Sequence, residues 1–173
     1  MNKNSSFNYK KIAFIAVVAI IAVLAAYGVD KITGSKKEGA QSSNEIAVAK
    51  DSDIVIPVAS VTENPAFYPA VINGTDLEVI AVKASDGTIR TAFNTCQVCY
   101  SSGKGYYKQE GNQLVCQNCG NRFGMDDVEV TKGGCNPVPI TSEYKTVDNE
   151  TITISKDFLT QATVIFENWS NGK

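Results

Sequence analysis

Histidine is absent from this sequence of 173 residues. That absence removes imidazole acid–base catalysis, His-based zinc hydrolysis and haem ligation by His. Neither sign of charge is in excess: 16 Lys and Arg stand against 18 Asp and Glu, a net of −2. Nucleic acid calls for a basic face, so no nucleic-acid partner is expected. There is no internal repeat apart from a doubled CxxC. No cysteine stands before Cys96 or after Cys135, although the chain has 5. A disulfide scaffold would more often scatter its bridges through the fold. Confinement to one stretch points to one site.

The first 11 residues, MNKNSSFNYKK, precede IAFIAVVAIIAVLAAYGV, an uncharged run over 12–29. About 18 such residues sit at the lower limit for a transmembrane helix, which needs roughly 20. The run is apolar on every face, unlike a surface helix with one buried stripe. Lys3, Lys10 and Lys11 precede it, so the positive-inside rule puts the N-terminus in the cytoplasm and the remainder outside, against the weaker pull of Lys31, Lys36 and Lys37. An uncleaved signal-anchor is the expectation. A cleaved signal peptide stays open, because Val23 and Ala25 offer a small-residue cleavage site. Residues 30–52 are polar, small and charged and read as a flexible tether.

Residues 53–173 carry the expected extracytoplasmic domain. IVIPVA (54–59), LEVIAVKA (77–84) and TIRTAFN (88–94) are β-branched runs, with the turn dipeptides Asn73-Gly74 and Asp86-Gly87 between them. GYYKQ (105–109) and QLVCQ (113–117) predict a hairpin, and TITI (151–154) a last strand. Ser155 then offers an N-cap to a helix on which Phe158, Leu159, Ala162, Ile165, Phe166 and Trp169 recur at helical spacing. That stripe reads as core packing. The fold class is therefore mainly β, an antiparallel β domain with a C-terminal helix behind one N-terminal transmembrane helix. Asp126, Asp127 and Glu129 read as a solvated acidic turn rather than a carboxylate site.

The chemistry lies in FNTCQVCYSSGKGYYKQEGNQLVCQNCGNRF. A CxxC turn places two thiolates on one side of a tight loop, and two facing loops, Cys96/Cys99 and Cys116/Cys119, complete a four-sulfur set. Gly103, Gly105 and Gly111 supply turns between them, and Gly120 leaves room for amides to approach sulfur. Zinc ribbons and [2Fe-2S] centres both fit this spacing. Two structural disulfides would leave an odd fifth cysteine, and a thioredoxin-like dithiol lacks its βαβ setting here. Cys135, in GGCNPVPI, is a fifth sulfur beside the site, a replacement ligand or a small buried residue. Gly133 and Gly134 permit tight folding before it, and Pro137 and Pro139 stiffen the exit.

The segment from FYPAVINGTDLEVIAVKASDGTIRTAFNTCQVCY through CQNCGNRF to GGCNPVPI resembles the FtrD-like membrane iron-sulfur proteins. Those are recognised by CxxCY, a GY-Q-G hairpin, CxxCGxxF and a closing GGCNPxPI. The resemblance implies an iron-sulfur cluster, [2Fe-2S] favoured over zinc, on Cys96, Cys99, Cys116 and Cys119, with Cys135 a further candidate ligand. Some members are encoded with bacterial iron-uptake systems, so it also implies a membrane setting, electron transfer or metal handling, and a permease or redox partner. A weaker similarity links the two ligand loops and the Pro loop to Rieske domains, except that Cys99 and Cys119 stand where those have histidine. A zinc-stapled β module docking on a membrane partner and a thiol–disulfide redox protein remain the alternatives.

Overall fold

Asn73 and Gly74, at φ 50 and 82, form the two-residue turn that organises the main sheet. Positive φ at both central residues is the type I′ geometry whose twist matches a hairpin, and Asn-Gly is the pair that tolerates it. The computed structural model describes residues 46–171. The expected cytoplasmic start (1–11) and transmembrane helix (12–29) lie outside them. Among the described residues no helix is long and apolar enough to cross a membrane.

Eleven strands are present among the described residues: β1 (Ala49–Lys50), β2 (Ile54–Pro57), β3 (Ala66–Ile72), β4 (Thr75–Lys83), β5 (Ile89–Cys96), β6 (Tyr107–Glu110), β7 (Gln113–Cys116), β8 (Arg122–Gly124), β9 (Pro137–Pro139), β10 (Thr146–Val147) and β11 (Thr151–Ile154). They make a central sheet of order β1-β3-β4-β5-β9 and two three-stranded sheets, β10-β11-β2 and β6-β7-β8. All pairings are antiparallel except β1 with β3. Helix α1 (Lys156–Ala162) follows β11, capped by the Ser155 hydroxyl, which accepts from the Phe158 amide.

The central sheet is buried on both faces, and β4 explains why its sequence is a continuous apolar run rather than an alternation. Leu77, Val79 and Ala81 join one core with Ile54, Ile56, Ile152, Ile154, Leu159 and Phe166. Ile80 and Val82 face the other core, with Tyr107, Leu114, Phe123, Cys96, Cys99 and Cys116. The first core is structural. Phe93 sits in it between Phe158 and Phe166, ring centroids 5.6 and 5.7 Å away, and burying such a ring contributes about 2–3 kcal/mol. The second core ends in sulfur.

The helix is shorter than its apolar stripe. It gives way at Thr163 to a 3-10 turn through Phe166, which carries Trp169 toward the cysteine loops. There the indole Nε1 donates to the Asn94 carbonyl at 2.8 Å. Gly103 receives this C-terminal segment: its carbonyl accepts the Ser170 amide, and an added Cβ would fall 2.1 Å from the Asn168 carbonyl oxygen.

The acidic turn departs from expectation at one residue. Asp126 is exposed and clamps Ser85, taking its amide and its hydroxyl. Glu129 is not solvated. Its carboxylate meets the Lys145 ammonium at 2.6 Å with both side chains largely covered, and accepts the Thr91 amide as well. An isolated charge at either position would have to be desolvated alone, so each requires the other.

Candidate metal centre

Cys96 ends β5 and Cys116 ends β7, so each CxxC begins where a buried strand stops. Between Phe93 and Cys96 the β5–β9 register slips, a bulge that re-aims the strand end. The first loop then turns through a 3-10 helix, Tyr100–Ser102. Gly105 lies flat against its backbone, where a Cβ would come 2.7 Å from the Cys99 carbonyl group. The turn Gly111-Asn112 folds β7 back on β6, with Tyr107 opposite Cys116. Asn94 ties the two halves: its Oδ1 accepts the Tyr107 amide at 2.7 Å, and its Nδ2 donates to Glu78 at 2.6 Å.

The fold brings all five sequence-predicted sulfurs together. Sγ atoms of Cys96, Cys99 and Cys135 lie within 4.8 Å of one another, as do those of Cys99, Cys116 and Cys119. Cys99 belongs to both groups. Cys96, Cys99 and Cys116 are buried, Cys135 is partly covered and Cys119 is exposed. The centre thus has a dry interior and one edge at the surface.

Both loops use the same local device. The amides of Val98 and Cys99 point at the Cys96 sulfur, and those of Asn118 and Cys119 point at the Cys116 sulfur. A fifth amide, from Asn121, reaches Cys119. These donors favour thiolate over thiol. Burial pushes the Cys96 thiol up, but its amides and the contact with Tyr107 outweigh that and bring it below the ordinary value. The Asn121 amide does the same for Cys119. Burial wins at Cys99, whose thiol is raised, and at Cys116, pushed up to about 12. At Cys135 the hydrogen bond with Cys119, followed by burial, also pushes the thiol up to about 12. The raised thiols stay neutral in so small a space, and a bound cation would supply the positive charge that lets them ionise together.

Sequence reasoning missed the residues that hold the Cys135 loop. Gln97, the second residue of the first CxxC, accepts the Gly133 amide, donates Nε2 to the Pro137 carbonyl at 3.1 Å and donates its own amide to Asn136. Tyr107 Oη and Asn121 Nδ2 both donate to the Cys135 carbonyl, at 2.8 and 3.0 Å. Nothing local in the chain announces these contacts, which span 14 to 40 residues, although Gln97 and Asn121 flank ligand candidates. Gly120 plays a different part from the expected one. Its amide goes to the Cys116 carbonyl, and its φ of 72 turns the chain so that the next amide reaches sulfur.

A mainly β domain that ends two buried strands in facing thiolate loops belongs to the metal-binding class. The donor set is sulfur alone, amide-supported and partly buried, which fits an iron-sulfur centre. The chain belongs to the FtrD-like family, described as membrane iron-sulfur containing protein, whose model matches residues 61–166. No curated protein and no solved structure matches it.

Proposed function

We propose that the domain is a one-electron carrier at a membrane surface, with an iron-sulfur centre held by Cys96, Cys99, Cys116 and Cys119. The observation that carries this reading is that the two CxxC loops meet, Cys99 Sγ lying within 4.8 Å of the sulfur of Cys96 on its own loop and of those of Cys116 and Cys119 on the other. A single tetrahedral zinc ion, with Zn–S bonds near 2.3 Å, draws four sulfurs to roughly 3.8 Å of one another. Two sulfurs from each loop, Cys96 with Cys99 and Cys116 with Cys119, would give each of two iron ions its pair of thiolates, which suits [2Fe-2S]. Such a centre supplies one electron and takes one back. The chain's part is to hold its sulfurs dry through Leu114, Phe123 and Val128, and to bring one edge, at Cys119, to solvent.

In this reading residues 12–29 anchor the chain, and the tether expected over 30–52 ends before β1, because Ala49 and Lys50 pair with Ala70 and Val71 of β3. The tether holds the domain outside the cytoplasm, and the electron serves a bacterial iron-uptake permease or its redox partner. The membrane character of the family and the basic N-terminal flank support that setting. Zinc remains the second reading, because amide-supported CxxC loops also hold zinc.

Ligation by sulfur alone makes the reduction potential the test. Rieske centres have histidine ligands that lose a proton, so their potentials fall with pH. This chain has no histidine. Burial and the neighbouring Cys96 raise the Tyr107 hydroxyl far above neutrality, so it does not titrate either. A potentiometric titration of the detergent-purified chain should give a potential flat across neutral pH. It should lie toward roughly −400 mV rather than in the Rieske range of about −150 to +300 mV. A positive potential or a steep fall with pH contradicts the all-thiolate centre.

A further inference from the structure

Five sulfurs converge where four close a centre, and the surplus one is not randomly placed. Cys99 Sγ lies within 4.8 Å of the sulfurs of Cys96 and Cys119. Cys135 Sγ lies within 4.8 Å of the sulfurs of Cys96 and Cys99. The two sulfurs therefore stand side by side next to Cys96. Cys116 is in a group with Cys99 and Cys119 but in none with Cys135. Support is also unequal. Cys96, Cys116 and Cys119 are the sulfurs that backbone amides address, whereas Cys99 has the Asn118 side chain. Cys135 rides on a loop pinned by Gln97, Tyr107 and Asn121, and Gln97 lies inside the first CxxC itself.

We propose that Cys135 is an exchange ligand for the Cys99 position, so that the centre can be closed by Cys96, Cys116 and Cys119 with either Cys99 or Cys135. This deepens the reading above and rests on it. In the exchange one metal–sulfur bond, to Cys99, breaks and one, to Cys135, forms. The Cys135 thiol gives up its proton and the released Cys99 thiolate takes one, so neither net charge nor electron count changes. Cys116 has no such reserve. The consequence is an asymmetry between the two CxxC loops that their sequences do not display. It also gives the centre a way to open at one ligand without losing its metal.

The test compares Cys99→Ser, Cys116→Ser and the double variant Cys99→Ser/Cys135→Ser with the parent, as full chains purified anaerobically in detergent. Iron content and the visible spectrum are the readouts. Cys99→Ser should keep its iron with a shifted spectrum, while Cys116→Ser and the double variant should lose it. A colourless Cys99→Ser beside a coloured parent overturns the exchange role, as does iron retained in the double variant. A colourless parent overturns the underlying centre instead, so the two failures are distinct. Cys135→Ser gives a measurement that does not depend on how Cys99→Ser folds. Without the reserve sulfur, iron should pass to a competing chelator roughly tenfold faster, the scale on which groups around a metal site act. An unchanged rate overturns the proposal.

Discussion

Cys116→Ser is expected to abolish the chromophore and to cost the domain much of its stability. Cys116 is 1 % exposed, receives two loop amides and closes the strand that carries Leu114 into the second core. Serine keeps the shape but is a poor ligand, and it leaves a hydroxyl among apolar neighbours. A centre that forms only in the folded chain stabilises it by mass action, about 4 kcal/mol when the metal is held a thousandfold above its dissociation constant. Loss of that coupling should lower the melting temperature by on the order of 10 °C or more. Differential scanning calorimetry of parent and variant, with and without chelator, checks it. The chelated parent should fall to near the variant's temperature, and equal melting of all four samples would contradict a centre that supports the fold.

Glu129→Ala should be the most damaging change away from sulfur. Lys145 is 5 % exposed at its side chain and Glu129 17 %, and their contact is 2.6 Å. Removing the carboxylate leaves a buried ammonium with Thr91 Oγ1 as its remaining partner, together with an unsatisfied Thr91 amide. Breaking one side of such a pair costs about 3–5 kcal/mol. Glu129 also holds a φ of 71, a conformation that costs a residue with a side chain about 1–3 kcal/mol and persists only where the surroundings insist on it. Urea unfolding should therefore show a large loss for Glu129→Ala. The double change Glu129→Leu/Lys145→Met should recover much of it, since no lone charge remains. A loss below about 1 kcal/mol, the range of exposed ion pairs, would contradict a structural role.

These two sites mark how far the sequence is legible. Local chemistry is readable: the Asn73-Gly74 hairpin, the TITI strand and the Ser155 cap stand where their turn and capping residues put them. The family resemblance is equally direct, because its motifs are chained along one stretch. β3 is not readable as a strand, because Pro69 interrupts AFYPAVI and the strand survives by pairing firmly on its β4 side. β9 hides as a proline loop for the same reason, being an edge strand opposite Cys96. Glu129 lies in a polar run, and nothing near it in the chain reveals that Lys145 folds over it. Cys135 is the extreme case. Its proximity to Cys96 and Cys99 depends on a bulge in β5 and on side chains of Gln97, Tyr107 and Asn121, all of them tertiary.

The most direct test of the central claim is joint analysis of iron, acid-labile sulfide and EPR on the full chain purified anaerobically in detergent. The account predicts a brown protein with iron and sulfide in equal amounts, and an EPR signal that appears on one-electron reduction. A colourless protein carrying zinc without sulfide, silent before and after reductant, would contradict it.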